Sequence, residues 1–186
     1  DDIRITVNVL KVFLFLPMFW SLFDQHGSRW VLQAEQMNKS FYFFRVTADQ
    51  MPTLNPLFTL SLIPVFQFIF YPTAQKIIGK PLKPLEHKMV FGMLLTGFAF
   101  ILSGILQIAI DNSPPESVHI SAQIPQYFIL SCGEIMVSVT GLDVAYSQAP
   151  TSMKTIVMAG WQMTVAIGNL IVAVIAAISW PKELVT

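Results

Sequence analysis

Residues 90–110, VFGMLLTGFAFILSGILQIAI, run without one charged side chain. A helix needs about 20 mostly apolar residues to cross a bilayer. In lipid, backbone amides and carbonyls must be satisfied within the segment, which leaves helices or a closed barrel. No alternating pattern supports a barrel, so the run is expected to be a spanning helix, roughly Lys88–Ile110. Four more apolar stretches qualify, roughly Thr6–Gln33, Gln50–Ile77, Ile120–Tyr146 and Ser152–Trp180. Composition agrees: charged residues make up 12% of the 186, half the roughly 25% of a soluble domain. The expected fold class is an all-α membrane protein with five transmembrane helices.

The connections fit that division. Residues 76–88, KIIGKPLKPLEHK, are basic and Pro-rich and read as a solvated loop. DNSPPES (111–117) reads as a short polar turn, and Pro150 separates the last two spans. FYFF (41–44) is too short to span and is expected at the interface. Arg4, Lys11, Lys76, Lys80, Lys83, Lys88 and Lys154 fall on one side, against Arg29, Lys39, Arg45 and Lys182 on the other. The second side also carries Glu35, Asp49, Asp111, Glu116 and Glu183. The positive-inside rule then puts the N-terminus in the cytoplasm. DDIRITVN has neither the flanks nor the length of a signal peptide, and the chain reads as cut from something longer.

Ionisable groups inside a span cost roughly 2.5–3.5 kcal/mol on insertion scales and usually face protein or a wet cavity. Glu134 is the strongest case, midway along span four with Ser138 one turn later. A carboxylate at that depth can bind an ammonium group or take up a proton; it can also simply pair with a polar group on another helix. Asp143 lies nearer the end of that span, Gln67 is in span two, and Gln162 and Asn169 are in span five. In LPMFWSLFDQHGS (16–28), Trp20, Asp24 and Ser28 are spaced to make one stripe on a continuing helix. That stripe is either a cavity wall or an interfacial Trp followed by helix-end polar groups. Asn55-Pro56 could offer an amide and open carbonyls to a ligand, but a helix-start cap explains it more simply. Trp161 reads by default as core or interface. Gly97 and Gly104, seven apart, read as a close-packing face.

Other chemistries find no support. The single cysteine, Cys132, allows no disulfide framework and no zinc pattern. His26, His87 and His119 are scattered, no Ser has a nucleophile-elbow setting, and no Gly-rich phosphate loop precedes a helix. No enzyme activity, metal, cofactor or nucleic-acid partner is expected.

Two stretches carry a resemblance: LPMFWSLFDQHGSRWVLQAEQM, and IPQYFILSCGEIMVSVTGLDVAYSQAPTSMKTIVMAGWQMTVAIGNLIV. They resemble the proton-coupled oligopeptide transporters of the major facilitator superfamily, and look most like the animal di- and tripeptide carriers. The match corresponds to helices seven to eleven of a twelve-helix fold, a partial C-terminal bundle over residues 1–186. The resemblance implies a cavity-lining role for Trp20, contact with the peptide's amino end for Asn55 and Glu134, assistance from Ser138, and a gating role for Trp161. It implies protons as the coupling ion. It also implies a di- or tripeptide substrate, a plasma-membrane bilayer, and an N-terminal bundle as partner.

Three departures qualify it. Animal members carry a large ectodomain between helices nine and ten; residues 111–121 offer only a short loop. An Arg–Asp pair common in helices seven and eight aligns with Asn8 and Gln67, so that gate would be a neutral hydrogen bond, with Asp24 near the outer gate. The ExxER proton motif and the carboxyl-end binding groups belong to the other half of the family fold. Two alternatives stay open: a related carrier for nitrate or amino acids, and a non-transporting peptide-sensing receptor.

Overall fold

The computed structural model describes residues 2–40, 45–82 and 84–177. The FYFF segment, Lys83, and the expected end of span five with Trp180, Lys182 and Glu183 lie outside the described residues. Five helices are long and apolar enough to cross a membrane: Asp2–Glu35, Ala48–Ile78, His87–Asp111, Ile120–Gln148 and Thr151–Ile175, here spans one to five. Each coincides with an expected span. Among the described residues no strand forms; the only bridges are Asn38 with His119 and Ser40 with Arg45.

The basic loop is shorter than the sequence suggested. Span two ends on Gly79, whose φ of 69° closes the helix in the left-handed region. A π-helical turn over Pro84–Met89 already leads into Val90–Asp111. Pro84 begins a helix here instead of breaking one, because a first-turn residue needs no amide proton. Two further π turns interrupt the spans, Phe66–Phe70 in span two and Ile135–Val139 in span four.

The chain divides into two units, one of Gln25–Val144 (the central unit) and one of Asp1–Asp24 with Ala145–Thr186 (the terminal unit). In the central unit, span four packs against both span two and span three. Lipid tails are as apolar as leucine, so close backbone approach and polar contacts must hold such helices together. Gly92 and Gly133 supply the approach. A Cβ on Gly133 would sit 2.5 Å from Thr96 Oγ1 and 2.8 Å from the Gly92 carbonyl oxygen. The expected packing face of Gly97 and Gly104 is not used: a Cβ on either would meet nothing within 4 Å. Spacing by seven marks a face but does not say which face a neighbour covers. Below the glycines, Phe66, Ile135 and Met136 form a small apolar core.

Polar contacts come from a glutamine hub. Gln33 Nε2 donates to the Ser103 carbonyl at 3.0 Å and to Gln107 Oε1 at 3.1 Å. Gln33 Oε1 accepts from Gln123 Nε2 at 3.0 Å and Gln126 Nε2 at 3.2 Å. Spans one, three and four are thereby joined by neutral amides. Nearby, Asn38 N–H donates to Val118 O at 2.8 Å and Ile120 N–H to Asn38 O at 2.9 Å, tying two loops.

In the terminal unit, the helix Leu16–Phe23 packs along span five. Gly168 permits it: a Cβ there would lie 2.7 Å from Trp20 Cβ and 2.8 Å from the Pro17 carbonyl oxygen. The continuous stripe expected from Trp20 through Asp24 to Ser28 does not form. Asp24–Gly27 is a 3-10 turn, and Ser28 leaves helical geometry at φ −126°, ψ −71°. A 3-10 turn holds three residues, so i, i+4 spacing no longer keeps one face.

Candidate functional site

Span two presents Asn55 and Thr59, four residues apart and so on one face. Span four presents Ser131 and Glu134 towards them. Asn55 Nδ2 donates to Glu134 Oε2 at 3.0 Å, and Thr59 Oγ1 donates to the same oxygen at 2.8 Å. Ser131 Oγ donates to Asn55 Oδ1 at 2.8 Å. The chain of donors is self-consistent. An ionised carboxylate only accepts, so the Asn55 amide must turn its nitrogen to Glu134 and its oxygen to the Ser131 hydroxyl. Asn55 and Ser131 are buried, whereas Glu134 and Thr59 are half-buried. Asn55 is not a helix-start cap: span two begins at Ala48, where Thr47 N–H donates to Gln50 Oε1 at 3.2 Å.

Among the described residues no cation pairs with Glu134; the one ion pair joins Lys39 to Glu35 at 2.8 Å. Hydrogen bonds to a charged group contribute about 1.5–3 kcal/mol each. Two of them are comparable to the roughly 2.5–3.5 kcal/mol cost of a carboxylate at mid-membrane. Neutral donors can therefore hold the charge in place without neutralising it. Both act on Oε2, and Oε1 has no hydrogen bond among the described residues. The site can accept a further donor there, whether a cationic amine or a proton.

Ser138 falls inside the π turn and is buried, its hydroxyl without a hydrogen-bond partner among the described residues. The π turn widens the i to i+4 step assumed from sequence. Gln67 is exposed and lines a pocket of about 530 Å³ with Tyr71, Gln75, Lys88, Thr140 and Asp143. Lys88 Nζ lies 4.0 Å from the centre of the Tyr71 ring.

The terminal unit gathers the aromatic candidates. Trp20 and Trp161 meet edge to face, centroids 6.0 Å apart at 87°. Phe13 adds an edge contact to Trp161 at 5.5 Å. Trp20 Nε1 donates to Thr164 Oγ1 at 3.1 Å, and Thr164 donates on to the Trp161 carbonyl at 2.7 Å. A buried indole N–H needs an acceptor, and Thr164, three residues past Trp161, supplies it. Trp161 is buried and Trp20 half-buried. Asp24 is half-buried at the start of the 3-10 turn; its backbone N–H donates to the Trp20 carbonyl, and its carboxylate has no hydrogen bond among the described residues. Asn8 is exposed and accepts from Lys11 Nζ at 3.4 Å.

Of the residues singled out from sequence, the structure brings Asn55 to Glu134 and Trp20 to Trp161. Sequence reasoning missed Thr59, Ser131 and Thr164. Among the described residues no three His, Cys, Asp or Glu side chains gather as a metal site.

Known proteins resemble the chain as a whole. A family model described as "PTR2: POT family" matches residues 1–183. The human protein named solute carrier family 15 member 2 is 39% identical over 140 residues, covering 75% of this chain and 19% of that protein. The yeast (Saccharomyces cerevisiae) peptide transporter PTR2 is 31% identical over 182 residues, covering 92% of this chain and 29% of its own. A crystal structure titled as an auto-inhibited POT family peptide transporter superposes with a TM-score of 0.83 at 42% identity, covering 92% of this chain and 32% of that one. The chain therefore spans between about a fifth and a third of the length of these relatives. With its family model matched from end to near end and its five helices superposing on a solved member, the chain belongs to the POT family.

Proposed function

We propose that the whole protein carries di- and tripeptides across a membrane together with protons, and that this chain supplies helices seven to eleven of its C-terminal bundle. The observation that carries the reading is Glu134, a carboxylate in a membrane span, held on one oxygen by Asn55 and Thr59, with no cation partner among the described residues. The peptide transporters among its relatives give the substrate class.

The mechanism would be alternating access, two bundles rocking about a central site. Oε1 of Glu134 takes the ammonium of a bound peptide, and a proton when the site is empty. One oxygen cannot hold both at once, so the proton that travels with the peptide rides on other groups, for which the ExxER motif of the N-terminal half is the candidate. An inward-negative potential assists, since one charge moved through 100 mV is worth about 2.3 kcal/mol. Trp20 lines the cavity, Trp161 helps gate it, and Ser138 assists Glu134 at the peptide's amino end. Asn8, Gln67 and Asp24 serve the gates. The N-terminal bundle binds the peptide's carboxyl end. The N-terminus of this chain lies in the cytoplasm, and the membrane is the plasma membrane.

Uptake of labelled dipeptide by the full-length protein tests this, with and without an inward proton gradient. Accumulation should require the gradient. Uptake that ignores the gradient overturns symport. Accumulation of nitrate or free amino acids in place of dipeptides assigns a different solute.

A further inference from the structure

Several hydroxyls in these spans bond back along their own helix. Ser61 donates to the Leu57 carbonyl at 2.8 Å, Thr96 to the Gly92 carbonyl at 3.0 Å, and Ser21 to the Met18 carbonyl at 2.8 Å. This is the ordinary fate of Ser and Thr in a helix. Thr59 departs from it. Its hydroxyl crosses to span four and donates to Glu134 Oε2 at 2.8 Å, shorter than the Asn55 bond to that oxygen. The carbonyl it would otherwise use, that of Asn55, has Ser131 Oγ 3.2 Å away.

One donor would leave the carboxylate free to turn, because its terminal torsion is broad and roughly two-fold. Two donors a helical turn apart fix the plane. We propose that Thr59 is a positioning residue for the peptide amine: with Asn55 it clamps Glu134 Oε2 so that Oε1 presents to the ammonium. It decides how strongly a free amino end is preferred over a blocked or missing one. The inference rests on the reading that Glu134 receives that amine.

The test uses purified full-length transporter and equilibrium binding of two ligands, Ala-Ala and its des-amino analogue propionyl-alanine. Thr59→Val should weaken Ala-Ala binding about tenfold, the scale of one hydrogen bond to a charged group, and leave propionyl-alanine unchanged. Thr59→Ser keeps the hydroxyl and should restore Ala-Ala affinity. In a Glu134→Gln background, Thr59→Val should change neither ligand further. Equal weakening of both ligands, or no weakening, overturns the positioning role, and so does an effect that survives in the Glu134→Gln background. If Thr59→Val does not fold, Thr59→Ala replaces it under the same criteria. The underlying reading fails separately: Glu134→Gln would then leave the preference for Ala-Ala over propionyl-alanine intact.

Discussion

The central unit holds two buried polar networks, and they differ in charge and closure. The glutamine hub is neutral. Gln33, Gln123 and Gln126 are 5%, 0% and 1% exposed, and they bond chiefly to one another and to backbone. The Glu134 network holds an ionisable group, is half-buried at Glu134 and Thr59, and leaves the second carboxylate oxygen without a hydrogen bond among the described residues. Both join span four to a neighbour across lipid-facing helices. The hub's amide nitrogens all bond inward and act as glue, and its unpaired oxygens, those of Gln123 and Gln126, are buried out of reach. The carboxylate network keeps one oxygen of a half-buried side chain unbonded among the described residues, and the proposed chemistry uses that oxygen. Polarity within a span does not mark a site; unspent polarity that can be reached does.

That distinction can be broken by moving the charge. Gln33→Glu places a carboxylate in the closed hub, opposite amides that cannot all turn to serve it. It should lower stability by about 3 kcal/mol, read as loss of folded protein on thermal denaturation. A normal melting temperature would erase the difference between the networks. Gly133→Ala comes next. Its Cβ would press on the Gly92 backbone and Thr96, at a cost of about 2 kcal/mol. Gly97→Ala, in open space, should melt like the parent, which sharpens the assignment of the packing face. Gln33→Leu removes the hub's centre without adding charge. It should cost about 1–2 kcal/mol by thermal denaturation while dipeptide affinity holds. A parallel loss of affinity would mean the hub belongs to the site. The smallest loss of stability is expected for Thr164→Val, which orphans the Trp20 indole N–H. About 0.6 kcal/mol is the scale of such a bond in a membrane protein, accompanied by a shift in tryptophan fluorescence.

The sequence made the spans legible because hydrocarbon imposes one solution on long apolar runs. It also singled out Glu134, since a carboxylate in such a run is costly enough to need a reason. Thr59 was silent: a Thr in a helix normally satisfies itself on its own backbone, and only the partner across the interface shows otherwise. Ser131 and Thr164 were hidden likewise. The stripe from Trp20 to Ser28 and the alignment of Ser138 with Glu134 both assumed 3.6 residues per turn. A 3-10 turn at Asp24–Gly27 and a π turn at Ile135–Val139 change that period, and neither carries a proline to announce it. Gln33, Gln123 and Gln126 sit near span ends, where polar residues read as exits to water. Asn55 shows the converse. Its Asn-Pro dipeptide suggested a cap, but span two starts at Ala48, which leaves its amide free to face Glu134.

The central claim is that the open oxygen of Glu134 exchanges a proton for a peptide amine. The most direct measurement is proton movement on adding Ala-Ala to proteoliposomes of the full-length protein, followed with an enclosed pH dye. The parent should acidify the lumen as peptide enters, and Glu134→Gln should abolish that signal. Equal acidification by the Glu134→Gln variant would contradict the account.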